Sequence, residues 1–182
     1  MGKIKAIILD RDGTLIEDKD YAYKIEDFEL LPGVIEGLKI LQKNFLLFIV
    51  TNQSGIGKGY YTDREFHKFN DYLIGILKEN QIRIERTFYC PHVKEDNCEC
   101  KKPKIKYIKE IVDGWNVDIN KSWVIGDHPS DILFGINAGP KTVYLISGHG
   151  KKHFHESEVE GIKPTMTSSN FLNTAKKIIE MK

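Results

Sequence analysis

A chain of 182 residues is long enough for one domain with a proper apolar core and short for two. Its formal net charge of +1, from 27 Lys and Arg against 26 Asp and Glu, argues against a nucleic-acid binder and against a charged disordered tail. Three cysteines is an odd count that does not close into a disulfide framework, and all three, Cys90, Cys98 and Cys100, fall within eleven residues.

The first apolar run is residues 4–9, which reads as a strand buried on both faces because it is Ile-rich and lacks period-2 alternation. Val34, Leu38 and Leu41 then fit one helix face, with Pro32 just ahead of it. A second strand is read at 45–50. Phe66, Phe69, Leu73, Ile76 and Leu77 give a longer helix, opened by Thr62-Asp63-Arg64-Glu65 at capping-box spacing. A third strand at 84–89 is followed by a helix carrying Ile105, Ile108, Ile111 and Val112. A fourth strand at 123–125 leads to a helix with Ile132, Leu133 and Ile136, stopped by Ala138-Gly139-Pro140. A fifth strand at 142–146 precedes a polar stretch, 147–169, read as loop with one short edge strand near 164–167. Residues 171–179 give a last helix. Trp115 and Trp123 lie in apolar patterns and are expected to pack in the core. His149, His153 and His155 are expected to be a solvated loop patch. Alternating strands and helices specify an α/β fold with a parallel sheet and right-handed crossovers. The longest apolar run, 45–50, falls far short of the roughly 20 residues needed to cross a bilayer. The start lacks a signal-peptide core. The expectation is a cytoplasmic protein with reduced thiols and no membrane partner.

In a parallel sheet, ligands bind beyond the carboxyl ends of the strands, so the residues just past each strand matter most. They are Asp10-Arg11-Asp12-Gly13-Thr14, then Thr51-Asn52-Gln53-Ser54-Gly55, then the cysteine cluster, then Gly126-Asp127-His128-Pro129-Ser130-Asp131. Asp10 and Asp12 are two apart, a spacing that turns both side chains the same way in extended chain. Two such carboxylates repel unless a cation or a shared proton intervenes. With Asp127 as a third acid, a hard divalent ion such as Mg²⁺ is the natural occupant. Gly13 lets the chain turn sharply behind the pair. Asp-x-Asp-Gly by itself is also a plain turn signal. Thr51, Lys102 and Asp127 at the other strand ends tip the reading towards a site.

Cys90-Pro91-His92 and Cys98-Glu99-Cys100 offer three sulfurs and one nitrogen, which match a closed tetrahedral structural zinc site. The alternative is free cysteines in a surface loop. No open coordination position is left, so zinc is assigned no catalytic role. Cys100 runs directly into Lys101, Lys102 and Pro103, so zinc would fix the loop that carries Lys102.

Asp10-Arg11-Asp12-Gly13-Thr14, Thr51 in Thr-Asn-Gln-Ser-Gly, Lys102, and Gly126-Asp127 with Asp131 resemble, in that order, the four motifs of the haloacid dehalogenase (HAD) superfamily of phosphatases. Across about residues 5–148 the chain is most similar to the D,D-heptose 1,7-bisphosphate phosphatase and histidinol-phosphatase branch, through Asp-Arg-Asp-Gly-Thr, Thr-Asn-Gln-Ser-Gly-Ile and the Cys-Pro-His loop. The resemblance implies a single HAD-like hydrolase domain over 1–182. Its fold would be a Rossmann-like three-layer α/β/α sandwich with a mainly parallel sheet, no large cap domain and a small zinc loop at 90–100.

The resemblance also implies roles. Asp10 would be the nucleophile that forms an aspartyl-phosphate, and Asp12 the general acid and then base. Mg²⁺ would be held by the carboxylates of Asp10 and Asp127 and the backbone carbonyl of Asp12, with Asp131 behind them orienting Lys102 or the ion's waters. Asp131 also fits a plain helix-N-terminal acid. Thr51, the Asn52 amide and Lys102 would cradle the phosphoryl oxygens. Zn²⁺ would be held by Cys90, His92, Cys98 and Cys100. Arg11, Asp18, Lys19, Asp20, Tyr21, Asn52, Gln53, Ser54, Lys101 and His128 would contact substrate. Two positions depart from the branch, which commonly carries Arg at Lys101 and Lys at His128; both changes weaken a fork-like grip on a second phosphate. The implied activity is a Mg²⁺-dependent phosphomonoesterase acting on a small sugar bisphosphate, D,D-heptose 1,7-bisphosphate at its C7 phosphate. Histidinol phosphate and nucleic-acid 3′-phosphate ends are the alternatives, the last opposed by the near-zero charge. From other classes, a phosphoaccepting signalling domain and a non-catalytic zinc scaffold compete. Asp12 argues against the first and the intact acids against the second. A monomer is expected.

Overall fold

The computed structural model describes residues 2–146, 150–159 and 161–181. Strands β1 (Ala6–Leu9), β2 (Leu46–Asn52), β3 (Arg86–Cys90), β4 (Trp123–Gly126), β5 (Lys141–Leu145) and β6 (Met166–Ser168) form one sheet in the order β3-β2-β1-β4-β5-β6. Every pairing is parallel. The helices are α1 (Val34–Leu41), α2 (Ser54–Gly57), α3 (Asp63–Glu79), α4 (Lys106–Trp115), α5 (Pro129–Ala138), α6 (Gly150–Val159) and α7 (Phe171–Glu180).

Side-chain alternation along the strands builds two cores. Ile7, Leu9, Leu47, Ile49 and Ile125 face one side and pack with Leu38 of α1, Phe69 and Leu73 of α3, and Phe171 and Ala175 of α7. Ala6, Ile8, Phe48, Val50 and Val124 face the other side and pack with Ile108 and Ile111 of α4 and Phe134 of α5. Both faces of each central strand are therefore dry, which is why their sequences are continuous apolar runs. The result is the expected three-layer α/β/α sandwich.

Local signals act where they are written. Thr62 caps α3: the Glu65 N–H donates to Thr62 Oγ1 at 3.2 Å, and the Thr62 N–H donates to Glu65 Oε2 at 2.7 Å. Trp123 is buried, and Trp115 packs edge-on against Phe48 at 5.0 Å between centroids. One expectation needs correction. The polar stretch 147–169 is not mainly loop: it holds α6, while the short edge strand lies at Met166–Ser168. α6 has no strong apolar stripe because it leans on the core chiefly through Phe154, 5.3 Å from the Tyr144 ring. The four-residue α2, in glycine-containing sequence, gives too little periodicity to read. His149 lies outside the described residues.

The strand order switches direction between β1 and β4, the crevice where doubly wound sheets bind ligands. Asp10 follows β1, and Asp127 follows β4.

Candidate active site

Asp10 leaves β1 with its N–H donating to Ile125 O of β4 at 2.9 Å, so the two strand ends are locked side by side. Lys102 reaches in between them. Its ammonium lies 2.6 Å from Asp10 Oδ1, 2.6 Å from Asp131 Oδ1 and 2.8 Å from Val50 O. The side chain of Lys102 is only 4% exposed, so its charge is compensated by protein rather than water. Burial acts to discharge this lysine, but Asp10 and Asp131 outweigh it and hold the ammonium protonated.

Asp131 does two things at once. It pairs with Lys102, and it accepts the His128 N–H at 3.1 Å as the third residue of α5, whose N-cap is His128. Its Oδ1 meets the Lys102 ammonium while its Oδ2 sits at the α5 N-terminus, where the helix dipole favours an acid.

Asp10, Asp127 and Asp131 bring carboxylate oxygens within 4.8 Å of one another. Burial pushes the Asp10 carboxyl up to about 7, and Lys102 only partly offsets this. Burial, with Asp10 and Asp131 beside it, also raises Asp127 well above the usual carboxylate range. Three acids against one ammonium leave an excess of negative charge that a hard dication would neutralise, so this donor set fits Mg²⁺. The chain turns tightly to make room: Gly13 has φ +75°, and a Cβ there would fall 2.0 Å from Asp127 Oδ2. Thr14 Oγ1 donates to Asp127 at 3.3 Å.

Asp12 is held by a separate set. Arg11 Nη2 donates to it at 2.9 Å and Arg11 Nε at 3.1 Å; Gln53 Nε2 donates at 2.8 Å and Thr51 Oγ1 at 3.3 Å. Gln53 is braced in turn by the Tyr61 hydroxyl at 2.5 Å. The Arg11 side chain is 1% exposed and lies over the Phe66 and Phe69 rings. The Arg11 and Gln53 side chains, expected to contact substrate, reach Asp12, and both residues also line a smaller cavity beside it. Thr51 and Gln53 are two apart at a strand end, so the alternation that pairs Asp10 with Asp12 was a signal for this too. Tyr61 carried no sequence signal, because only the fold brings it to Gln53.

The main cavity, about 810 Å³, is lined by Asp10, Asp12, Asp18, Thr51, Asn52, Lys101, Lys102, Asp127, His128 and Asp131, with Lys94 and His153. A side cavity of about 300 Å³ adds Asp20, Tyr21, Gln53 and Ser54. Asp20 and Tyr21 take left-handed backbone (φ +50° and +68°), and the Tyr21 hydroxyl lies 2.6 Å from Lys58 Nζ. Lys19 lines neither cavity and pairs with Glu29 at 3.2 Å. Asn52 grips the Lys102 backbone, accepting its N–H at 3.0 Å and donating to its carbonyl at 3.3 Å. The expectation of a solvated histidine loop does not hold for His153, whose ring centroid lies 4.8 Å from that of His128.

At the end of β3, Cys90, His92, Cys98 and Cys100 bring their ligand atoms within 4.8 Å of one another. The sulfurs are 3.1 to 3.6 Å apart, and His92 Nδ1 is 3.2 Å from Cys100 Sγ. A tetrahedron with Zn–S bonds of about 2.3 Å has edges of about 3.8 Å, so the four atoms are nearly preset for zinc. None of the cysteines is in a disulfide. Burial, with Cys100 beside it, pushes the Cys90 thiol up; a cation at the centre would favour the thiolate instead. The cluster is tied to the rest of the site. Lys101 Nζ donates to His92 O at 3.2 Å, and the Gln53 N–H donates to Cys90 O at 2.7 Å.

A crevice at the switch point, with strand-end acids around a buried lysine, is the site of a HAD-type hydrolase, and a family model described as HAD-hydrolase-like matches residues 99–173. The D-glycero-alpha-D-manno-heptose-1,7-bisphosphate 7-phosphatase of Campylobacter jejuni is 42% identical over 151 residues, covering 82% of this chain and 87% of that protein. The D-glycero-beta-D-manno-heptose-1,7-bisphosphate 7-phosphatase of Haemophilus ducreyi is 39% identical over 154 residues, covering 80% and 84%. The crystal structure of D,D-heptose 1,7-bisphosphate phosphatase from B. bronchiseptica, complexed with magnesium and phosphate, superposes with a TM-score of 0.89 at 25% identity, covering 98% of this chain and all of that one. The chain belongs to the heptose-bisphosphate phosphatase family of the HAD superfamily, and it is a phosphoric monoester hydrolase.

Proposed function

We propose that the chain removes the C7 phosphate of a D-glycero-D-manno-heptose 1,7-bisphosphate. The observation that carries the substrate is the 42% identity to the Campylobacter phosphatase over most of both chains. Relatives named for the alpha and the beta anomer match almost equally, so the reading covers both.

Chemically, the Asp10 carboxylate attacks phosphorus in line. The Asp10–phosphorus bond forms as the bond from phosphorus to the C7 oxygen breaks, and Asp12 gives that oxygen its proton. Asp12 then takes a proton from water as the water attacks the aspartyl-phosphate. This releases inorganic phosphate and restores the Asp10 carboxylate and the protonated Asp12. Lys102, steered by Asp131, and Thr51 face the phosphoryl oxygens. Arg11 and Gln53 fix the direction in which Asp12 presents its proton. Mg²⁺ held by Asp10, Asp127 and the Asp12 carbonyl would screen the nucleophile from the phosphate dianion, a repulsion of about 4 kcal/mol per charge pair at 4 Å and a dielectric near 20. Zn²⁺ held by Cys90, His92, Cys98 and Cys100 would be structural, bracing the loop before Lys102. The enzyme acts as a single HAD-like domain in the cytoplasm, a reading supported by cysteines that form no disulfide.

The test is phosphate release from purified protein with Mg²⁺. The substrates are heptose 1,7-bisphosphate, histidinol phosphate and a 3′-phosphorylated oligonucleotide. The heptose bisphosphate is expected to give the highest kcat/KM, and Asp10→Asn to lower it by at least about 10³-fold. A preference for either other substrate overturns the reading.

A further inference from the structure

α6 is pinned over the end of the sheet by its first turns. The Tyr144 hydroxyl donates to Gly150 O at 3.1 Å. A Cβ at residue 150 would fall 2.0 Å from Leu145 O and 3.2 Å from Asp127 Cβ, so only glycine lets the helix start this close to the acid. Phe154, one turn on, packs on Tyr144 and Ile132. His153 comes three residues after Gly150, on the side of the helix that faces the site. It is half-buried, lines the main cavity and lies against His128. His155 is exposed.

This cavity, about 810 Å³, has the size that houses a whole small ligand. The acids and Lys102 occupy the reacting end. The bisphosphate keeps a second phosphate dianion that must lose water on entering, and this costs affinity unless donors replace that water. Lys101 and His128 line the same cavity as His153: Lys101 Nζ gives one of its three N–H donors to His92 O, and His128 Nδ1 accepts the Ser130 N–H at 3.2 Å as the cap of α5. His153 carries an N–H donor in either protonation state.

We propose that His153 is a specificity-determining residue, whose imidazole N–H hydrogen-bonds the C1 phosphate that is not hydrolysed. This rests on the heptose bisphosphate reading of the site. α6 thereby selects a bisphosphate over a monophosphate in a fold that has no large cap.

The test compares wild type, His153→Ala, His153→Gln and His155→Ala. Two substrates are used: heptose 1,7-bisphosphate and the same heptose carrying only the 7-phosphate. His153→Ala is expected to raise KM for the bisphosphate about tenfold, the scale of one lost hydrogen bond to a charged group. KM for the 7-phosphate should move less than twofold. His153→Gln, which keeps an N–H donor, should recover most of the difference, and His155→Ala should leave both KM values alone. Equal shifts on both substrates, no shift on either, or the same loss in His155→Ala would overturn the proposal while the substrate reading stands. Wild type idle on the bisphosphate overturns both.

Discussion

At the scale of single residues, the site is governed by unequal numbers of buried charges. Asp10, Asp127 and Asp131 share one ammonium, that of Lys102. Burial raises Asp10 from 3.8 to about 7, so the folded metal-free protein holds this proton more tightly than the unfolded chain does. By linkage, the site favours folding most below pH 4, and that contribution is lost as pH rises towards 7. Mg²⁺ held by the ionised acids would restore it. The gain in Tm on adding Mg²⁺ should therefore be larger at pH 8 than at pH 5, and a gain independent of pH across this window would contradict the account. Asp12 lies outside this set. Gln53→Leu removes a 2.8 Å donor from it and should lower kcat roughly tenfold or more, with KM changed less, because the ground-state phosphate does not need that proton.

Among the elements, the cysteine loop proposed to hold zinc matters through the lysine it delivers. Cys100 and Lys102 are two residues apart, and Asn52 holds the Lys102 backbone from the other side. The Lys102 ammonium is thus positioned by β2 and by the cysteine cluster together. Cys98→Ser should take zinc content from about one per chain to near zero and lower kcat roughly tenfold, measured by elemental analysis and by phosphate release. Retained activity without zinc would show that Asn52 alone suffices. α6 illustrates the opposite relation between sequence and element. Its polar face hid it among loop residues, and its place is set by Gly150 and Phe154 meeting β5.

At the scale of the whole molecule, the exposed large apolar side chains among the described residues are Ile4, Tyr21, Ile25, Tyr60, Tyr72, Ile136 and Met181, and the Tyr21 and Tyr60 rings meet edge to face at 4.9 Å. The expected monomer sediments near 21.0 kDa, with activity per chain unchanged on dilution; a stable dimer overturns that expectation and redirects attention to these side chains.

Much of this was legible in the chain itself. Continuous apolar runs dictated strands buried on two faces, because alternating sequence would have left one face wet. Asp10, Asp127, Thr51 and the Cys-x-His pair were legible because each stands at the end of such a run, and the Cys-x-Cys pair because it completes a ligand set within the same eleven residues. The sequence alone therefore determined the fold class, the donor sets and the strand ends that carry them. Only the tertiary structure decided how they are partnered. It gave Lys102 to Asp10 and Asp131, turned Arg11 and Gln53 inward to Asp12, and carried His153 from a polar stretch to the cavity wall. Those contacts join residues as many as 92 positions apart, and spacing along a chain carries no information about which distant side chain fills a given gap.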